Sequence, residues 1–324
     1  MLCLWFLALL AQPAPAAEHA IFKSVDRGIT WTKAASLAGS PRINSFGATG
    51  KRVFAGTDTG IYSTDDDGLT WRKSSVTART TSFAVAGGTI FAGTQSVGLL
   101  ASGDQGLTWN SITGLASRNV RSLLAGDGMV IAGTDADGVM VSTDQGRTWV
   151  ERKAGLPEFS QVFALARMGG TIFAGLYAKG LYAWNETRWQ WVKVGSVKPL
   201  VLAAAAGGGS LVAGQNPGGI YWMSQKPDGS GEWTEAIGAF PPPAPVWELA
   251  AGDGLVLAGV ADGVFRSEDA GRTWVQARLG LPAGSPAVSF LLRGDTILAG
   301  LVMSPRGGRG RAASLVLRGR EKGR

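Results

Sequence analysis

The side chains best suited to chemistry in this chain are arginines, and they recur in register. Arg42 and Arg79 each stand immediately before a short apolar run. Arg118 precedes the next such run by one further residue, and Arg121 lies inside it. A guanidinium presents paired N–H donors that match carboxylates and phosphates, and partial exclusion of water strengthens that match. Laying the runs over one another gives a column that reads Ser45, Ser82, Ser122, Ala164, Ala203, Glu248, Ser289. Glu248 is the exception in it, a lone carboxyl beside Trp247 that either pairs with an arginine or serves as an acid. Glycoside hydrolysis requires two carboxyl groups in separate roles. Asp58, Asp135, Asp137 and Asp262 are available for a second role, but each also explains itself as a turn former. Metal chemistry finds little support, because His19 is the sole histidine and Cys3 the sole cysteine. Gly207 to Gly209 is followed by no lysine, which argues against a phosphate-binding loop. No metal and no cofactor are expected.

What must position these residues is a repeat. An octapeptide with Ser or Thr first, Asp third, Gly fifth, Thr seventh and Trp eighth runs from Ser24 to Trp31 and from Thr64 to Trp71. It returns from Ser102 to Trp109, Ser142 to Trp149 and Ser267 to Trp274, with eroded copies ending at Trp191 and Trp233. Successive tryptophans are 40, 38, 40, 42, 42 and 41 residues apart. A second element, such as Val53-Phe54-Ala55-Gly56 or Ile90-Phe91-Ala92-Gly93, precedes each box, and an apolar or small run precedes that. Asp58-Thr59-Gly60, Asp137-Gly138 and Asp262-Gly263 mark hairpin turns in which glycine supplies positive φ. Four short strands in a unit of about forty residues is the pattern of a propeller blade.

The expected fold is therefore all-β, a seven-bladed β-propeller closed by strands from both termini. Ile21–Ser24 and Leu315–Leu317 are both candidates for the third strand of the closing blade. In such a fold the starts of the inner strands, and with them the arginines, lie at the channel mouth on the face opposite the boxes. A box aspartate can accept several backbone N–H groups of its own loop, so Asp26, Asp66, Asp104, Asp144 and Asp269 are read as structural.

Charge and leader complete the outline. The net charge is +7, yet the C-terminal segment 303–324 alone carries Arg306, Arg309, Arg311, Arg318, Arg320, Lys322 and Arg324 against Glu321. The body is thus close to neutral, and nucleic acid is not an expected partner. Leu2 to Leu10 is an apolar run too short for a membrane span, and Ala14-Pro15-Ala16 suits signal peptidase. Residues 1–16 are read as a signal peptide and 17–324 as one propeller domain. The protein is expected to be exported, periplasmic or extracellular, monomeric, and without an integral span once the leader is removed.

The octapeptides resemble the Asp boxes of BNR repeats, found in sialidases, sortilin and xyloglucanases, where they are structural. The full pattern of a leader and about seven boxed blades with few additions most resembles the photosystem II stability and assembly factor family. Gly155-Leu156-Pro157 and Gly280-Leu281-Pro282 add to the likeness. The resemblance implies a non-catalytic scaffold that binds a protein segment, or an anionic ligand, on the unboxed face at Arg42, Arg79, Arg118, Arg121 and Glu248. The alternative is a sialidase-like or other glycan-processing or glycan-binding propeller. Sialidase chemistry needs an arginine triad, a tyrosine nucleophile paired with glutamate, and an aspartate acid/base. Tyr62, Tyr182 and Tyr221 occupy the core position of a third strand and Tyr177 a hairpin turn, and Pro41-Arg42-Ile43 lacks the closing proline of the sialidase arginine motif.

Overall fold

Apolar runs of about six residues separated by glycine turns pair as antiparallel hairpins, and the run that begins at each tryptophan adds a short outer strand. The computed structural model describes residues 18–34, 36–116, 118–194, 209–215, 218–224, 231–238 and 245–303, and the backbone over 201–207. These form seven sheets. Blade 1 runs outward through Ile43–Thr49, Arg52–Thr57, Gly60–Thr64 and Arg72–Lys73. The inner strands of blades 2 to 6 are Thr80–Ala86, Val120–Gly126, Val162–Met168, Val201–Gly207 and Val246–Gly252. Blade 6 gains a fifth strand, Ile237–Gly238, parallel to Thr273–Ala277. Among the described residues the one departure from strand and turn is a 3-10 turn at Thr113–Leu115.

Blade 7 closes the ring. Its inner strands, Ala287–Arg293 and Thr296–Met303, come from the C-terminal side, and its outer ones, Glu18–Ser24 and Thr32–Lys33, from the N-terminal side. Glu18–Ser24 pairs along its whole length, from Glu18 opposite Met303 to Ser24 opposite Ile297. Of the two candidate closing strands, the one containing Ile21 takes the place. Leu315–Leu317 lies outside the described residues, as do the leader and the basic segment from residue 304.

The core lies between blades. Phe54 and Ile61 of blade 1 pack with Ile90, Ala92 and Leu100 of blade 2, and the same arrangement repeats around the ring. Tyr62 and Tyr182 are buried in it, as expected of third-strand positions, whereas Tyr221, expected there too, is only half-buried. Burial raises the pKa of the Tyr182 phenol, the opposite of what a nucleophilic tyrosine requires.

Each intact octapeptide folds into the same loop. In the first, Ser24 donates to Asp26 at 2.8 Å and accepts the N–H of Gly28 at 2.8 Å. Asp26 accepts the Thr30 N–H at 2.9 Å and the Thr30 hydroxyl at 2.6 Å. Gly28 has φ +80°, and the residue before it, Arg27, is also left-handed at +57°. Thr64, Ser102, Ser142 and Ser267 repeat these bonds with their own aspartates. The Thr30 hydroxyl and N–H, with Ser24, hold the Asp26 carboxyl down at about 2. Asp66 and Asp104 are lowered in the same way, and at Asp269 the bonds from Thr273 and Ser267 outweigh the upward push of burial.

The Gly-Leu-Pro segments act as latches. Trp31 donates its N–H to Leu279 O at 2.9 Å and Trp191 to Ala154 O at 2.8 Å, so the carbonyl just before each of these glycines binds a tryptophan that heads an outer strand. Where the fifth octapeptide is eroded, an aromatic cluster replaces it. Trp184 meets Trp191 with centroids 5.5 Å apart, and the Arg152 guanidinium lies 4.8 Å from the Trp189 ring.

Candidate functional site at the channel mouth

All inner strands carry the same irregularity near their start. Register with the second strand shifts between the first and third residues, as at Ile43/Ser45, Val120/Ser122 and Val246/Glu248. A bulge of this kind leaves one residue unpaired and re-aims its side chain. The residues so placed, among those whose side chains are described, are Asn44, Thr81, Arg121, Phe163, Trp247 and Val288. Sequence reasoning singled out Arg121 among them, but not the ring. The available signal was the column one residue ahead of the small one, which strict strand alternation would have assigned to the opposite side.

The small column has a packing reason. Ser45, Ser82, Ser122 and Ser289 stand opposite Gly56, Gly93, Gly133 and Gly300 of the second strands. A Cβ at Gly93 would lie 2.5 Å from Ser82 Oγ and 2.8 Å from the Val120 side chain of the next blade. Small residue and glycine together admit the neighbouring inner strand. The bulge then stitches blades together. Asn44 donates to Thr80 O at 3.1 Å, Thr81 to Val120 O at 2.5 Å and Ser122 to Val162 O at 3.2 Å.

Between these strands an axial cavity of about 250 Å³ opens at the mouth, lined by Asn44, Ser45, Thr81, Ser82, Arg121, Ser122, Phe163, Glu248 and Ser289 with Phe46, Phe83 and Phe290. Arg121 and Glu248, from blades three apart, face it from different sides. Among the described residues Glu248 pairs with no arginine, a pairing that the sequence had allowed. The Arg121 guanidinium is held by Asp135 at 2.5 and 2.9 Å and lies 5.1 Å over the Phe163 ring. Burial without a counter-ion pushes the Glu248 carboxyl up to about 8.

The other arginines stand at the rim and do not converge on one point. Arg118 pairs with Asp137 of its own blade. Arg79 pairs with Asp58 at 3.2 Å, and Asp58 also accepts from Asn44 at 3.0 Å. Arg42 joins this second group. Its pKa is lowered by burial and by Arg79, against the upward pull of Asp58, and its Nε–H is buried without an acceptor. Asp58, Asp135 and Asp137 are thus counter-ions to arginines as well as turn residues. Asp262 contributes its carbonyl to Gln276 at 3.1 Å. On the other side of the mouth the bulge residues turn aromatic. Phe163 stacks on Tyr177 at 5.2 Å, and Tyr177, Trp247 and Phe159 are exposed. A second cavity of about 500 Å³ lies against Phe159, between Asp137, Leu156 and Pro157. The octapeptide loops occupy the opposite face, where Arg52 ties Asp65 of its own blade to the Gln105 carbonyl of the next. Among the described residues no cluster of His, Cys, Asp and Glu could hold a metal, and no helix is long and apolar enough to cross a membrane.

Comparison with known proteins agrees with this architecture. Residues 53–168 match the model of the DUF6242 beta propeller domain. No curated protein sequence matches the chain. YCF48 from Cyanidioschyzon merolae superposes with a TM-score of 0.63 at 14% identity, covering 80% of this chain and 95% of its own. A structure of YCF48 bound to D1 peptide gives 0.62 at 18%, with coverage of 91% and 100%. The GH74 xyloglucanase from Xanthomonas campestris gives 0.62 at 14%, with 88% of this chain against 56% of that enzyme. At such identities the likeness speaks to fold, and the chain is a seven-bladed β-propeller similar in build to YCF48 and to GH74 propellers.

Proposed function

We propose that this protein is an exported, non-catalytic scaffold that binds an acidic segment of a partner protein across the face opposite the octapeptide loops. The observation that carries this reading is the group formed by Arg42, Arg79 and Asp58. It has one more positive than negative charge, and the buried Arg42 Nε–H has no acceptor. A carboxylate of a partner supplies the missing charge, and a partly desolvated guanidinium binds it strongly. The exposed Tyr177, Trp247 and Phe159 offer apolar footing for the rest of a segment. YCF48, of similar build, has been solved with a D1 peptide, which supports the use of such a fold for holding a peptide.

The rival reading, glycan processing, draws on Glu248, whose raised pKa is that of a general acid. Hydrolysis requires a second carboxyl, and among the described residues that line the cavity Glu248 is alone. The reading is tested by titrating a fluorescent Glu-Ala repeat octapeptide against the wild type and the Arg42→Ala/Arg79→Ala variant. Wild-type binding should weaken as salt rises, and the variant should bind at least tenfold more weakly while melting as the wild type does. Equal binding by both proteins contradicts the proposal. Turnover of an aryl glycoside or sialoside that disappears in Glu248→Gln favours the rival.

A further inference from the structure

We propose that the axial cavity is a binding site for an organic ammonium, the end of an n-alkylamine or of a lysine side chain, with Glu248 as its counter-ion. The site goes beyond the rim-binding reading and does not depend on it, since rim and cavity differ in sign. At the rim a cation lacks a partner; inside the channel an acid does.

Three features of the cavity point to this ligand. First, its charged groups are Arg121 and Glu248, and Arg121 is already engaged by Asp135 through Nε and Nη2. Glu248 has neither a hydrogen bond nor an ion pair among the described residues and is only partly exposed, on the wall of the cavity. Second, the serine column offers Glu248 no donor: the hydroxyls of Ser45, Ser82 and Ser289 are buried against the second strands, 2.7, 2.5 and 2.5 Å from where a Cβ at Gly56, Gly93 and Gly300 would stand. A primary ammonium carries three N–H donors and no acceptor, which suits a carboxylate left without a donor. Third, Phe46, Phe163 and Phe290 give the same cavity apolar walls along which an alkyl stem can lie, as lysine stems do elsewhere. A hard metal ion fits less well, since it seeks six or more oxygen ligands including several carboxylates.

The electrostatics set a pH signature. The strands packed against that of Glu248 are Val201–Gly207, Ser210–Gln215, Leu255–Val260 and Ala287–Arg293, and their only ionisable residue is Arg293. That arginine stands at the far end of its strand and donates to Gly50 O at 2.7 Å. With Arg121 neutralised, no other described residue of the wall compensates a bare carboxylate. The empty site therefore keeps its proton up to about pH 8. An arriving ammonium stabilises the ionised form, so each binding event below that pH releases one proton. Affinity should rise roughly tenfold per pH unit up to about 8. It should then stay level, and fall as the amine itself loses its charge near pH ~10.4.

The test is calorimetric titration of the full chain with n-butylammonium, with the peptide acetyl-Ala-Lys-Ala-amide, and with n-butanol as the uncharged control, at pH 6, 7 and 8. The expected result is binding of at least one amine with the stated pH slope, loss of that binding in Glu248→Gln, and no binding of butanol. Glu248→Gln replaces a carboxyl that is protonated at neutral pH, and an unchanged melting curve verifies its fold. Uptake of butylammonium identifies a free small amine as sufficient; uptake of the lysine peptide alone identifies the cavity as a subsite for a docked chain. Either supports the assignment. Failure of both amines at pH 8, or equal binding by Glu248→Gln, overturns it. The Arg42→Ala/Arg79→Ala variant should bind amines as the wild type does, so each proposal can fail without the other.

Discussion

Asp26 and Glu248 are both carboxyls, and their surroundings send them in opposite directions. Asp26 accepts bonds from two hydroxyls and from backbone N–H groups and is held at about 2; Glu248 accepts none among the described residues and is pushed to about 8. For Asp26 and Asp144 the consequence is a stability that depends on acid. An unfolded aspartate titrates near ~3.9, so the loop contribution is complete above that pH and is lost as pH falls through about 2. Melting temperatures of Asp26→Asn and Asp144→Asn should lie below the wild type at pH 7, with the gap closing between pH 4 and pH 2. A gap that is as wide at pH 2 as at pH 7 would show that the carboxylate charge is not what holds the loop. Glu248 runs the other way: its contribution is complete below the pKa of an unfolded glutamate, ~4.3, declines as pH rises towards about 8, and is lost above that.

At the scale of the strand, the tryptophans explain the near-constant repeat. Trp274 is buried between blades and donates its indole N–H to Gly271 O at 2.9 Å. Trp274→Ala should therefore destabilise the fold by ~3–5 kcal/mol, measured by chemical denaturation. A cost below about 1 kcal/mol would mean that the box tryptophans do not hold the interface between blades. The strand pattern was readable from the chain because packing recurs once per blade: Phe54, Phe91 and Phe173 fill equivalent places, and Gly56 and Gly93 face equivalent serines. The bulges were not readable. A shifted register at Val120/Ser122 does not break the alternation of residue types, and its one trace is a column one residue ahead of the small one, whose members differ in chemistry. Hence Arg121 was found by its charge, while Asn44, Thr81 and Phe163, which share its position, were not. The pairing of arginines with hairpin aspartates was also hidden, because Asp58, Asp135 and Asp137 already had a sufficient reason to exist in turns.

The molecule as a whole depends on one seam. Glu18–Ser24 contributes the third strand of blade 7 and pairs through all its residues with Thr296–Met303. A chain lacking residues 1–24 should lose cooperative unfolding and expose inter-blade core, seen as a broadened melt with increased binding of a hydrophobic dye. An unchanged melt would contradict closure by this strand. The closed ring also separates two faces, with octapeptide loops on one and the bulge ring, Arg42 and the exposed aromatics on the other. The central claim is that the second face does the binding. Hydrogen exchange of the whole protein, with and without a saturating Glu-Ala repeat octapeptide, tests this most directly. Slowed exchange at residues 42–45, 79–82 and 119–122, with the octapeptide loops at 24–31 and 102–109 unchanged, is the expected result. Protection confined to those loops, or none anywhere, would contradict the account.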